Sequence, residues 1–220
     1  MRAMILAAGR GARMGSMTAA TPKPLLQLIN ETLIERQLHQ LAAAGIGQVV
    51  INLSYHGEQI RAVVGDGSRF SVQVIYSQEP PEPLDTAGGI VNALPLLGDE
   101  PFLVVNADVV SDFDFRQLRL RDEAGTLVLV PNPAHHPGGD YGIDARGYLT
   151  SNEPKFTFAG ISLLSPALFF GLAPGRRPLS RVFDDAIAAA SLSGSIYSGL
   201  WLDVGTPERL AAARDALGGG

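Results

Sequence analysis

Two aspartates, two cations and a glycine-rich loop carry the chemistry this sequence can do. The loop, Ala7-Ala8-Gly9-Arg10-Gly11-Ala12-Arg13-Met14-Gly15, follows the first apolar run. Where side chains are missing, backbone N–H groups can approach an anion closely; the same glycines would also serve a simple tight turn. Arg13 lies inside the loop and Lys23 within Thr21-Pro22-Lys23-Pro24, whose prolines stiffen the backbone presenting the lysine. A lone Arg or Lys is ordinarily a solvated surface charge, and Arg10 is read that way. Two cations flanking a glycine loop after a first strand are suited instead to gripping a triphosphate. The loop is not a P-loop, because Gly15-Ser16 brings no lysine to its close. Nor is it a dinucleotide fingerprint, since the second strand ends in Asn52-Leu53-Ser54 where an acid would be needed.

The aspartates are far apart in the chain. Asp108 follows the apolar run Phe102-Leu103-Val104-Val105, and Asp203 follows Trp201-Leu202 ahead of Val204-Gly205-Thr206-Pro207. Each taken singly reads equally well as a turn or cap residue. Magnesium favours a few carboxylates plus phosphate oxygens and water over an all-protein cage, so two Asp converging on a triphosphate would suffice. The pair His135-His136 is not read as a metal site, because adjacent side chains point apart and no carboxylate or His stands at ligand spacing.

These residues need a scaffold that brings strand ends together. Strand-length apolar runs at Met4–Ala8, Gln48–Leu53, Val72–Ser77, Phe102–Asn106 and Thr126–Val130 alternate with helical periods at Thr32–Ala44, closed by Gly45, and at Gly57–Val64. Leu84-Asp85-Thr86-Ala87-Gly88-Gly89 opens a further helix, with Thr86 as a possible cap. That alternation predicts an α/β fold, a Rossmann-like three-layer sandwich around a mixed, mainly parallel sheet, with function at the strand ends. Beyond Pro131 the character changes to α+β: strands at Tyr148–Ser151 and Phe158–Leu164, helices at Pro178–Ala190 and Pro207–Leu217.

The bulk numbers narrow the classes. Two hundred and twenty residues, 46% hydrophobic and 18% charged, fit one domain over 1–217. A net charge of −5 supplies no basic field for nucleic acid. The absence of cysteine leaves carboxylates to carry any metal. No apolar run reaches membrane-spanning length, and the N-terminal run is too short for a signal segment, so a cytoplasmic location is expected.

Leu6-Ala7-Ala8-Gly9-Arg10-Gly11-Ala12-Arg13-Met14 with Thr21-Pro22-Lys23-Pro24-Leu25 resembles the signature of the sugar-nucleotide pyrophosphorylases, the sugar-1-phosphate nucleotidylyltransferases. The resemblance implies nucleotidylyl transfer from a nucleoside triphosphate to a sugar 1-phosphate, with Mg2+ as cofactor and pyrophosphate as product. It implies catalytic roles for Arg13, Lys23 and Asp108, and Mg2+ on Asp108 and Asp203. Ala8, Gly9, Gly11, Ala12, Arg13, Lys23, Glu79 and Gly88 would meet the nucleotide, and Asp140, Gly142, Glu153 and Lys155 the sugar. By this match residues 1–131 form the nucleotide-binding part, and 132–217 the sugar-binding part with the second metal ligand.

Four positions depart from the family pattern: Gly15-Ser16 replaces a usual Arg-Pro, Ala107 a usual Gly, and Asp85 the first Gly of Leu-Gly-Thr-Ala-Gly. Asp140-Tyr141 and the preceding His135-His136-Pro137-Gly138-Gly139 are similar to a short bacterial branch, the N-acetylmuramate-1-phosphate uridylyltransferases of cell-wall recycling. Guanylyl transfer to mannose 1-phosphate is the alternative within the family, and a catalytically silent nucleotide-binding subunit the alternative outside it. Oligomeric state stays open.

Overall fold

The computed structural model describes residues 1–120 and 124–218. Its main sheet has at its centre β1 (Ala3–Leu6), flanked by β2 (Gln48–Leu53) and β4 (Phe102–Asn106), with β3 (Gln73–Gln78) outside β2. These four run parallel to one another. Beyond β4 lies the antiparallel β9 (Lys155–Leu164), then β6 (Gly125–Val130) and β10 (Leu192–Ile196), which pair parallel to each other. The expected mixed, mainly parallel sheet is therefore present. Its strand order reverses direction between β1 and β4, which opens a crevice at their carboxyl ends.

Helices cover both faces. On one, α1 (Leu33–Ala43) and α2 (Gly57–Val64) pack Ile34, Leu38, Leu41, Ile60 and Val64 onto the sheet. On the other, α3 (Asp85–Leu97) and α4 (Leu179–Ala188) contribute Ile90, Ala93, Val182 and Phe183. The helix α1 starts where the sequence marks it. Thr32 Oγ1 accepts from the Glu35 N–H, and Glu35 Oε2 accepts from the Thr32 N–H at 2.8 Å, a reciprocal capping box. Gly45, at φ 80°, turns the chain away at the other end. The helix α3 starts differently from the Thr86 alternative: its cap position is Leu84, without a side-chain bond. The Arg177 carbonyl instead accepts from the N–H groups of Ala87 and Gly88.

Four short strands remain, of which one falls within the expected Tyr148–Ser151; the other three, like β10, lie outside the expected strands. The segments β7 (Tyr141–Ile143) and β8 (Leu149–Thr150) form a small ribbon against the start of β9, which begins three residues earlier than its apolar run suggests. The other two, β5 (Val109–Ser111) and β11 (Trp201–Asp203), pair antiparallel with each other, away from the main sheet. This second pair matters most, because Asp108 immediately precedes β5 and Asp203 ends β11. Gln37 and Gln40 of α1 donate to the Val109 and Ser111 carbonyls, and Trp201 Nε1 donates to the Ala159 carbonyl at 2.9 Å, so the ribbon is tied to a helix and to β9.

Beneath the ribbon lies a third apolar cluster, of Met14, Leu26, Leu28, Leu33, Val110, Val204, Leu210 and Ala213. It joins the glycine loop, the segment after Lys23, β5, and α5 (Pro207–Gly218). Among the described residues no helix is long and apolar enough to cross a membrane. Leu210, 1% exposed at the centre of this cluster, tests its weight: Leu210→Ala should cost about 2–5 kcal/mol, read as a lowered urea midpoint. A loss under about 0.5 kcal/mol, the range of ordinary surface changes, would show that the cluster does not anchor these segments.

Candidate active site

A cleft of about 480 Å3 opens where the strand order reverses. Its walls come from the ends of four parallel strands: Leu6 through Arg13 after β1, Asn52 and Ser54 from β2, Glu79 after β3, and Asn106 to Asp108 after β4. Lys23, Pro24, Pro83 to Thr86 and Gly205 complete the lining.

The glycine loop earns both readings the sequence allows, at different residues. Gly11 has φ +64°, and a Cβ there would press within 3.1 Å of the Lys23 Cβ and the Thr18 methyl. Its bareness lets the turn close and Lys23 come against it; the Gly11 carbonyl accepts from Met14 N–H at 2.8 Å and Thr18 Oγ1 at 3.0 Å. Gly9 has open space where its side chain would be and no positive φ, so nothing in the turn requires it; there the missing side chain leaves backbone open to the cleft. The turn continues into a short 3-10 segment, Ala12–Thr18, which carries Arg13 exposed at the cleft and Met14 buried. Arg10, exposed as its lone position suggests, also lines the cleft.

Lys23 and Asp108 meet directly, Nζ to Oδ2, with the lysine largely buried and the carboxylate partly open. Asp203 stands beside the cleft. The Val204 N–H donates to the Asp108 carbonyl at 2.8 Å, so the two aspartates sit on adjoining backbone. The carboxylate of Asp203 is engaged by Arg209 Nη1, which lies 2.8 and 2.6 Å from its two oxygens, and by His135 Nε2 at 3.0 Å. Gly205, two residues on, reaches the cleft wall. Among the described residues no three acidic, His or Cys groups cluster as a protein-only metal cage.

At the other end of the cleft, Asn52 links two walls: its Oδ1 accepts from the Ala7 N–H at 2.8 Å, and its Nδ2 donates to Glu79 Oε1 at 2.6 Å. Glu79 is 7% exposed, and burial pushes its carboxyl above the usual range, although the Asn52 bond pulls the other way. Gly89 packs over this carboxyl, where a Cβ would stand 2.5 Å from Glu79 Oε1. Gly88 is turned elsewhere, against the Gly175 carbonyl. Asp85 lines the cleft with φ 56°, a left-handed conformation that glycine takes freely and aspartate tolerates, and Arg176 holds its carboxylate at 2.9 Å.

Asp140, Gly142, Glu153 and Lys155 gather on the β7–β9 ribbon and do not line this cleft. Asp140 locks its loop, accepting from the Phe158 N–H at 2.8 Å and meeting His136 Nε2 at 3.1 Å. Gly142 is packed under the Asn152 carbonyl. Exposed Glu153 accepts from the Lys155 N–H at 3.0 Å.

Asn52, Arg209 and His135 were missed as site residues. Asn52 carried a usable signal, a polar residue near the carboxyl end of a strand, directly after the apolar Val49-Val50-Ile51. Arg209 lies six residues beyond Asp203, but His135, which meets both, is more than sixty residues away and leaves no local trace.

Comparison with known proteins follows the same outline. The nucleotidyl transferase family model matches residues 2–147. The N-acetylmuramate alpha-1-phosphate uridylyltransferase of Neisseria meningitidis serogroup B is 43% identical over 99% of both chains. The catalytic subunit beta of mannose-1-phosphate guanylyltransferase from Drosophila pseudoobscura is 31% identical over 94% of this chain, which spans 60% of that protein's length. Among solved structures, a putative glucose-1-phosphate thymidylyltransferase from Bacillus anthracis superposes with a TM-score of 0.88 at 20% identity, over 98% of this chain and 95% of the other.

The buried carboxyl of Glu79 sets a pH test. Folding raises its pKa above the ordinary 4.5, so the folded state holds its proton longer than the unfolded state, and stability falls as pH rises from 4.5 through the folded pKa. Glu79→Gln keeps an acceptor for Asn52 and removes the charge. Its stability relative to the parent, by urea titration, should improve from pH 4 to pH 7; a difference constant across that range would mean the carboxyl is not perturbed.

Proposed function

The chain belongs to the nucleotidyl transferase family, and from that premise we propose that it transfers a uridylyl group from UTP to N-acetylmuramate 1-phosphate in cytoplasmic cell-wall recycling. One observation carries the reaction class: the open glycine loop, Arg13, Lys23 and Asp108 line a single cleft at the strand-order reversal. Support for the substrate pair comes from the 43% identical relative, matched along its length. Residues 1–131 are proposed as the nucleotide-binding part and 132–217 as the sugar-binding part.

The donor set suits a divalent cation, which we take to be Mg2+. Asp108 and Asp203 offer hard oxygen ligands on adjoining backbone, and an ion held by two carboxylates completes its shell with phosphate and water. Held by these two carboxylates, it would supply Lewis-acid neutralisation of phosphoryl charge.

The protein's own groups do the positioning. Loop N–H groups around Gly9 and the Arg13 guanidinium hold the triphosphate. Glu79 and the start of α3 border the base, and the Ala7–Asn52–Glu79 chain of hydrogen bonds keeps those walls in register. A phosphate oxygen of the sugar phosphate attacks the α-phosphorus; a new P–O bond forms as the bond to the bridging oxygen breaks, and pyrophosphate departs. The attacking group is already an anion, so no general base is required. Lys23 offsets charge on the α-phosphoryl oxygens and, through its ion pair, holds Asp108 in place. Catalysis is then positioning plus charge neutralisation.

A pyrophosphate-release assay with Mg2+, crossing UTP, GTP and the other nucleoside triphosphates with N-acetylmuramate, mannose and glucose 1-phosphates, tests the reading. Release should be fastest with UTP and N-acetylmuramate 1-phosphate. Preference for GTP and mannose 1-phosphate would assign the chain to the guanylyl reaction of its longer relatives, and release with no pairing would favour a silent subunit. Lys23→Ala and Asp108→Ala should each lower the rate by about 10²-fold or more; near-normal turnover in either folded variant would remove its role.

A further inference from the structure

Each aspartate at the reaction end of the cleft already has a cation, Lys23 on Asp108 and Arg209 on Asp203. Arg13 is left over. Its guanidinium is exposed at the cleft and makes no hydrogen bond or ion pair among the described residues. A second guanidinium comes up beside it. A Cβ on Gly205 would overlap Arg209 Nη2 and stand 3.3 Å from Arg13 Nη2, so a bare backbone position on the cleft wall is where the two meet.

Arg209 is divided between two directions. Its Nη1 edge donates to both Asp203 oxygens and faces His135 Nε2. Its Nη2, toward Arg13, has no hydrogen-bond partner among the described residues. Arg209 cannot simply swing away, because its side chain is 18% exposed and fastened through Nη1. Two guanidiniums held side by side repel, and the carboxylate beside them, Asp203, is bonded to Arg209 and not to Arg13. The ligand that suits two converging planar forks is an anion rich in oxygens, a phosphate chain. The 3-10 segment after Arg13 offers no other cation, since Gly15-Ser16-Met17-Thr18 follows.

We propose that Arg209 is a second phosphate-binding guanidinium: with Arg13 it grips the terminal phosphates of the nucleotide, and then the departing pyrophosphate, across Gly205, while its other edge holds Asp203. This rests on the nucleotidyl-transfer reading above. The helix α5 thereby supplies to the triphosphate a cation that the glycine loop lacks.

Calorimetric titration of the full-length protein with inorganic pyrophosphate and, separately, with UMP tests this in EDTA, where Asp203's hold on a metal plays no part. Arg209→Ala and Arg13→Ala should each weaken pyrophosphate binding about ten- to hundredfold and leave UMP, which lacks the terminal phosphates, unchanged. The double variant should lose less than the product of the single losses, because both groups act on one ligand. Gly205→Ala keeps both arginines yet displaces Arg209, and should weaken pyrophosphate in the same direction even if Arg209→Ala folds poorly. Parental pyrophosphate affinity in both Arg209→Ala and Gly205→Ala would overturn the proposal, as would equal losses for UMP. Such results with wild-type turnover intact remove Arg209 alone; a wild type that turns over no substrate pair removes the reading beneath it.

Discussion

Arg13, Lys23, Asp108, Asp203 and Arg209, the charged groups gathered at one end of the cleft, each stand within three residues of a member of one small apolar cluster. Met14 follows Arg13, Leu26 lies three beyond Lys23, Val110 two beyond Asp108, Val204 follows Asp203, and Leu210 follows Arg209. Charged side chains do not collect in a half-dry crevice by themselves, since desolvation and like-charge repulsion oppose it. Burial of the neighbouring apolar side chains supplies the opposing force. Three stretches from distant parts of the chain, 13–26, 108–110 and 203–210, are thus held against one another before any ligand arrives.

That packing also explains why a second small sheet exists. The parallel strands β1, β2 and β4 deliver residues to the crevice as any doubly wound sheet does, but Asp203 belongs to the last fifth of the chain. The antiparallel β5–β11 ribbon lays its backbone against that of Asp108, and α5 covers the ribbon with Leu210 and Ala213. Pairing each carboxylate with a cation then removes most of the repulsion between them. The Asn52 bridge does comparable work at the other end, where it shares one amide between the first turn and a buried acid.

The periodic elements were legible because each has a local cause. Gln48–Leu53, Phe102–Asn106 and Gly57–Val64 match the observed elements at both ends, and Thr32, Glu35 and Gly45 mark the limits of α1 by cap chemistry. Legibility faded where structure comes from distant partners. Neither β5 nor β11 shows a period, since three residues cannot, and their pairing is fixed by α1, β9 and the apolar cluster. Arg13, Lys23 and Asp108 were readable as residue types after strands. The attachment of Asp203 to His135 was not, because a contact made by folding across that distance has no sequence spacing, and Arg209, six residues on, follows no helical period from a strand residue. The positive φ of Asp85, by contrast, accounts for a position where the resembling pattern carries glycine.

The central claim is that one metal–nucleotide unit touches the glycine loop, Lys23 and both aspartates at once. A crystal structure with Mn2+ and a non-hydrolysable UTP analogue, the metal located by its anomalous signal, measures this directly. The account predicts a single metal peak bonded to Asp108, Asp203 and phosphate oxygen, with the phosphate chain along Gly9 to Arg13. A metal seated away from either carboxylate, or a nucleotide bound outside the crevice between β1 and β4, would contradict it.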